Sequence, residues 1–494
     1  MALRTSAQVP LHSPGQFFIG GEWRTPSTPA TFDVLDSVTE EVYYRVAEAR
    51  EEDMERAIAA ARVAFDQGPW PRMTHAGRAS YLRAFAAELE SRSSAMAEIW
   101  PRESGVLAKL AGPISVRVAS TFTFYADLAD KFAFEEPIQP TSGGEFGLLV
   151  REPVGVVGAI IPWNAPLSLA VYKIAPALLA GCTIVLKASP EAPGAAYVLA
   201  EVAEKVGLPA GVLNVLTADR EVSELLVRDA RIDKIAFTGS TAVGRRIASL
   251  CGERIARYTL ELGGKSAAVI LDDAELETAA GTLARAECFL AGQVCASVTR
   301  LIVTRKRHDE FVENLAGVFS KVRVGSPFER ATQMGPLATA RQRDQVMAKI
   351  ARGIEEGATL VTGGRRPEHL ERGYFVEPTV FANVENSSTI GREEVFGPVL
   401  CVIPVDNEEQ AIAVANDSIY GLNASVFTED VDRARWVAGR LRSGTVGHNN
   451  VRVDFGMAFG GFKQSGVGRE GGIEGLLPYL ETKTVILEGR PSVA

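Results

Sequence analysis

Two side chains 34 residues apart have the types that covalent catalysis needs: Glu261, in Glu261-Leu262-Gly263-Gly264-Lys265, and Cys295, in Gly292-Gln293-Val294-Cys295. A thiolate attacks an electrophilic carbon at neutral pH, and a carboxylate whose pKa is raised by burial activates the water that clears the covalent intermediate. Each also has a plainer reading. A solitary cysteine is usually a small buried apolar residue, and a solitary glutamate says less still. Two further features belong with them. Lys187 closes an apolar run and reads, alone, as a solvated charge, although at a strand's carboxyl end it could meet a ribose or phosphate. The turn Thr238-Gly239-Ser240-Thr241-Ala242-Val243-Gly244 leads into a helix whose free N–H groups and positive dipole end suit a phosphate. Its spacing is G-x-x-x-x-G, which is neither the dinucleotide fingerprint nor, lacking a following lysine, a P-loop.

The elements that must position these groups follow from pattern. Between residues 154 and 261, strand-length apolar runs at Val154–Ile160, Thr183–Lys187, Val212–Leu216, Lys234–Phe237 and Tyr258–Glu261 alternate with helical stretches at Pro166–Ala180, Ala192–Gly207, Val222–Arg228 and Thr241–Leu250. That alternation predicts a doubly wound parallel sheet, whose ligands lie beyond the carboxyl ends of the strands. Pro162-Trp163-Asn164, Lys187, the glycine turn and Glu261 all fall at such ends. A second α/β unit is predicted from strand Ala267–Leu271, helix Leu276–Phe289, strand Arg300–Val303, helix His308–Lys321 and strand Val399–Val405. Residues 325–373 read as helical and loop-rich, and Phe459 to Gly466 as a glycine-rich loop with no chemistry of its own. Phe146–Val150, set off by Pro137, Pro140, Gly143 and Gly144, reads as a strand leaving the main body, with edges that another subunit could protect. Near the start, Phe17 to Trp23 opens the fold, followed by a strand at Thr31–Leu35 and helices through Met54, Ile58, Ala61, Phe65 and through Tyr81, Phe85, Leu89.

The totals exclude several function classes. A chain of 494 residues exceeds one ordinary core. With 52 Lys+Arg against 61 Asp+Glu, a net charge of −9 offers no basic field for nucleic acid. The segment Met1–Pro14 is polar, without the apolar core of a secretory signal. The apolar stretch Leu167–Leu186 carries Lys173, Pro176 and Gly181 and reads as a buried helix followed by a buried strand rather than a membrane span. Five cysteines form no metal-ligand cluster and no disulfide framework, which leaves the cytoplasm as the expected compartment and no metal.

Five pieces in this order resemble the aldehyde dehydrogenase superfamily: Pro162-Trp163-Asn164, the Phe237 to Gly244 turn, Glu261 to Lys265, Gly292 to Cys295, and Glu394-Val395-Phe396-Gly397-Pro398. The resemblance runs from Phe18 to Val485. It implies an α/β fold made of a dinucleotide-binding domain (1–130 and 152–261), a catalytic domain carrying the nucleophile (262–475) and a small β oligomerisation arm (131–151 and 476–494). It further implies that Cys295 attacks an aldehyde, that Asn164 and the Cys295 N–H hold the oxyanion, and that Glu261 activates water against the thioester. Lys173 and Glu470 match positions that pair behind the base. Cofactor contacts carried over are Ile160, Ile161, Pro162, Trp163, Lys187, Glu191, Gly239, Ser240, Val243, Leu262, Gly263, Glu394 and Phe396. The implied cofactor is NAD, with NADP possible, and the implied assembly a homodimer or homotetramer.

Two departures bear on the cofactor. Similar chains often carry a glutamate three residues after the ribose lysine, where this one has Pro190, with Glu191 one position on; Glu191 keeps a negative charge there, with no added arginine expected beside it. Where many relatives have a glycine pair after the third strand, this chain reads Thr217-Ala218-Asp219-Arg220, and Arg220 could meet a 2′-phosphate. Ala165, Leu169, Tyr172, Val294, Ala296 and Phe455 are expected to line an apolar aldehyde tunnel. His448, Arg452 and Asp454 lie in a loop near its mouth and read as solvated. Rival readings are a CoA-acylating dehydrogenase, against which Glu261 argues; a cysteine hydrolase, for which His12, His75, His308, His369 and His448 offer no recognisable base motif; and a non-catalytic binding protein.

Overall fold

The computed structural model describes residues 9–492. Most of the Met1–Pro14 segment, read above as lacking a secretory core, lies outside them.

Apolar runs buried on both faces make the centre of the first sheet, of eight strands ordered Gly466–Val467, Arg257–Glu261, Lys234–Thr238, Val156–Ile160, Thr183–Ala188, Leu213–Thr217, Phe17–Ile19 and Glu22–Arg24, with exposed strands at its two edges. The five central strands are parallel. Their chain order reverses between Val156–Ile160 and Lys234–Thr238, the point at which an open α/β sheet leaves its ligand crevice. The doubly wound sheet expected from the alternation is therefore present, with the first strand starting at Val156 rather than Val154.

Helix Pro166–Ala180 and strand Thr183–Ala188 are joined by a turn at Gly181, whose φ of +101° favours glycine. Both elements are buried in the protein's own core, and no described helix is long and apolar enough to cross a membrane. A seven-stranded second sheet centres on Val298–Thr304, flanked by Ser266–Ile270 and Val399–Val405, over its own apolar core. A three-stranded antiparallel sheet stands apart: Leu480–Leu487 pairs along all eight residues with Phe146–Pro153, which pairs in turn with Glu135–Ile138.

Three observations depart from expectation. Helices Ser93–Ser104 and Ala108–Leu128 are absent from the sequence reading, because Pro101, Gly112 and Pro113 interrupt the pattern that would reveal them. Within 325–373 the structure has one regular helix, Ala340–Glu355, and an edge strand, Thr359–Thr362. Gly466–Val467 does not stay in the second unit; it pairs antiparallel with Leu260 and Glu261 at the edge of the first sheet.

Candidate active site

Strand Arg257–Glu261 ends by delivering Glu261 into the interior, 2 % exposed. Neither carboxylate oxygen has a hydrogen-bond partner among the described residues. Burial, with the Glu470 charge second, holds its carboxyl well above the ordinary range, and Lys173 and Arg469 pull it back only in part. A buried carboxylate with no fixed donor is available to take a proton from water.

The nucleophile candidate follows a strained turn. Leu290, Ala291 and Gly292 have φ values of 51°, 51° and 72°, three consecutive left-handed residues. Gln293, wholly buried, holds this turn: its Nε2 donates to Leu290 O (2.8 Å) and Ser104 O (3.3 Å), and its Oε1 accepts from Ala338 N (2.8 Å). The Gln293 carbonyl accepts from Asn164 Nδ2 at 2.8 Å, which leaves the second hydrogen of that amide for the adjoining cavity. The Cys295 and Ala296 N–H groups have no partner other than the Cys295 sulfur among the described residues, so these two and the Asn164 amide are the donors near the thiol. Burial, then Glu394 and Glu261, push the Cys295 thiol above its usual value, so the resting group is neutral.

Near Glu261, Lys173 Nζ donates to Glu470 Oε1 and Thr238 Oγ1, each at 2.6 Å, all three residues being buried. Gly460 packs against Glu261 so closely that a Cβ there would lie 2.7 Å from Oε1. The Glu470 N–H and carbonyl pair with Phe459 at 2.7 and 2.6 Å. The segment expected to lack chemistry thus forms part of the wall that encloses Glu261.

The crevice at the reversal of strand order fits a dinucleotide. Ile160 and Ile161 end the central strand, and Ile161 N donates to Lys187 O at 3.3 Å before Pro162 and Trp163 turn the chain. Lys187 is 8 % exposed, yet its ammonium has no hydrogen bond or ion pair among the described residues, and desolvation lowers its pKa to about 8. Ser240 caps helix Thr241–Arg254 by accepting from Val243 N; Gly239 has its N–H on Glu261 O at 3.0 Å, and a Cβ there would strike the Phe237 ring. Leu262 packs on Gly244, and at Gly263 a Cβ would meet Glu394 Oε2 at 2.4 Å. Glu394 accepts from Gly264 N (3.2 Å) and is pushed by burial to about 7. Phe396, at φ 57°, sets its ring edge-on to Trp163 at 5.5 Å. An unpaired lysine, a helix N-terminus and backbone free of side chains on one crevice are the donor set that ribose and pyrophosphate require.

The sequence profile of the aldehyde dehydrogenase family matches residues 23–485. The chain belongs to the aldehyde dehydrogenase family. It is 44% identical over 473 residues to geranial dehydrogenase of Castellaniella defragrans, spanning 96% of this chain and 98% of that one. Among solved structures it superimposes on Mycobacterium tuberculosis aldehyde dehydrogenase complexed with NAD+ (TM-score 0.93, 44% identity, 96% and 98% of the two chains). It also superimposes on an aldehyde dehydrogenase C mutant of Pseudomonas syringae complexed with NAD+ and octanal (TM-score 0.94, 37% identity, 99% and 100% covered).

In this aldehyde dehydrogenase Cys295 opens on a cavity of about 760 Å³ that Ala165, Leu169, Tyr172, Val294, Ala296 and Phe455 line. Tyr172 and Phe455 stack at 3.6 Å, and Phe455 packs on Phe459. Asp454 lines the cavity too; His448 is turned onto Thr428 O (3.0 Å), and Arg452 lies against Gly447. Ile114, Arg117, Val118 and Phe124 complete the wall from helix Ala108–Leu128, unread in the sequence.

One expectation needs correcting. Glu191 does have an arginine beside it: Arg341, 150 residues away on helix Ala340–Glu355, pairs with Glu191 Oε1 at 2.9 Å. Sequence adjacency could not reveal a partner carried by the second unit. Thr238 and Gln293 also went unassigned a role, because a hydroxyl and an amide gain one only from their neighbours.

Proposed function

We propose that this aldehyde dehydrogenase oxidises an apolar aliphatic or aromatic aldehyde to its carboxylic acid, with NAD as the cofactor. The single observation that carries the reading is the position of Cys295, whose side chain lines an aromatic-lined cavity while its backbone carbonyl packs on Gly264, beside the Glu394 wall of the crevice. Cys295 attacks the carbonyl carbon once its proton has passed to water. The Asn164 amide and the Cys295 N–H stabilise the oxyanion of the adduct, both being in place before charge develops. Lys187, Ser240 and Glu394 would hold a nicotinamide dinucleotide, which would supply the hydride acceptor that oxidation of the adduct to a thioester requires. Glu261 then deprotonates the water that releases the acid. Glu470 and Lys173 carry that proton away from Glu261, with Thr238 holding the lysine in line.

The cavity wall supports an apolar substrate, since Arg117 and Asp454 are the charged side chains among the residues lining it. The bare edges of the three-stranded sheet support a homo-oligomer, a dimer or tetramer, and five free cysteines support a reducing compartment such as the cytoplasm.

The test is a panel of octanal, benzaldehyde and a charged aminoaldehyde with NAD, followed by absorbance of the reduced cofactor. Octanal or benzaldehyde should turn over fastest and C295A should abolish the signal; full turnover by C295A would remove the nucleophile assignment. N164A should lower kcat by about 100-fold or more.

A further inference from the structure

Around the buried Lys187 the crevice carries an arrangement that neither unit provides alone. Glu191, on the loop after strand Thr183–Ala188, has both carboxylate oxygens engaged: Oε2 accepts from Ser189 Oγ at 2.5 Å and Oε1 takes the Arg341 guanidinium at 2.9 Å. Arg341 reaches it from the first turn of Ala340–Glu355 and is 67% exposed along its side chain. Asp219, the other acid near Lys187, is turned away as the cap of helix Arg220–Arg228, its Oδ1 accepting from Val222 N at 2.9 Å. An acid that repels a phosphate must present an uncompensated charge. Here that charge is neutralised by a guanidinium whose planar fork also suits a phosphate.

We propose, resting on the dinucleotide reading of this crevice, that Arg341 receives the 2′-phosphate of NADP and that the protein therefore binds NADP as well as NAD. Arg341 exchanges its carboxylate partner for the phosphate, Lys187 supplies a second cation from the crevice floor, and Glu191 falls back on Ser189. Arg341 acts on cofactor choice and not on the reacting atoms.

The decisive measurement is calorimetric binding of NAD+, NADP+ and the fragment pair 5′-AMP and 2′,5′-ADP to the full chain, wild type and variants. Wild type should bind NADP+ within about tenfold of NAD+, and R341Q should lower the NADP+ to NAD+ affinity ratio by about tenfold, the loss of one charge-assisted contact. E191Q should raise that ratio, and R341K should keep part of it. The exposed position of Arg341 leaves the fold intact, and an unchanged melting temperature verifies it. NAD+ binding with a ratio that R341Q does not move would overturn the Arg341 assignment alone. If neither NAD+ nor NADP+ bound, the dinucleotide reading itself would fall.

Discussion

Glu261 carries the most testable consequence of the site's dryness. In the unfolded chain its carboxyl titrates at the ordinary value, whereas in the folded protein burial and Glu470 hold it higher. Between the two values the unfolded state has lost a proton that the folded state keeps, so this residue's contribution to stability falls as pH rises through that window. E261Q should therefore melt above wild type, with the gap widening as pH rises above the ordinary carboxylate range; thermal scans from acidic to mildly alkaline pH check it, and a constant gap would refute it. In catalysis the sign is opposite, since thioester hydrolysis needs the ionised base and its rate should climb with pH. Rapid-mixing experiments on E261Q should retain the first burst of reduced cofactor and lose steady turnover. The types and order of Cys295, Glu261 and Asn164 were legible in the sequence. What the letters do not carry is that both Glu261 oxygens lack a partner, or that Arg341 reaches Glu191 across 150 positions, since both depend on tertiary neighbours.

The turn that presents Cys295 sets the precision of the site. Gly292 occupies the left-handed region, and a Cβ there would fall 2.4 Å from the Gly397 carbonyl, a backbone atom that cannot swing aside. G292A should destabilise the protein by about 2 kcal/mol or more, from the backbone conformation and the clash together. Denaturant midpoints measure the loss, and kcat should fall further than stability alone predicts because Cys295 shifts with the turn. Strands and helices of residues 154–261 were legible because strand and helix periods alternate cleanly there. Helix Ala108–Leu128 was not, since Pro113 breaks the local pattern while burial of Val118, Phe122 and Tyr125 restores the helix through packing.

In the whole molecule, the antiparallel arm of Leu480–Leu487, Phe146–Pro153 and Glu135–Ile138 leaves Ile138 and Ile486 about half exposed, at 47% and 48%. Exposed isoleucines on a bare-edged sheet suit a partner subunit. The double substitution I138K/I486K should lower the apparent mass in size-exclusion chromatography with light scattering; an unchanged mass would place the interface elsewhere. The arm's departure from the main body was legible in the prolines and glycines flanking it, and the resemblance grouped it with 476–494; the eight-residue register of that pairing was not legible, because register between distant strands leaves no local mark. That far end has a further consequence. Gly460, the strand Gly466–Val467 and Glu470, which shut solvent away from Glu261, all follow it by some two hundred positions. During synthesis the thiol and the carboxylate leave the ribosome long before their enclosure does, so a nascent chain holds an unfinished, wet centre. Competence arrives only after residues 460–470 have emerged and closed over Glu261, as a long-range closure whose rate chain topology governs.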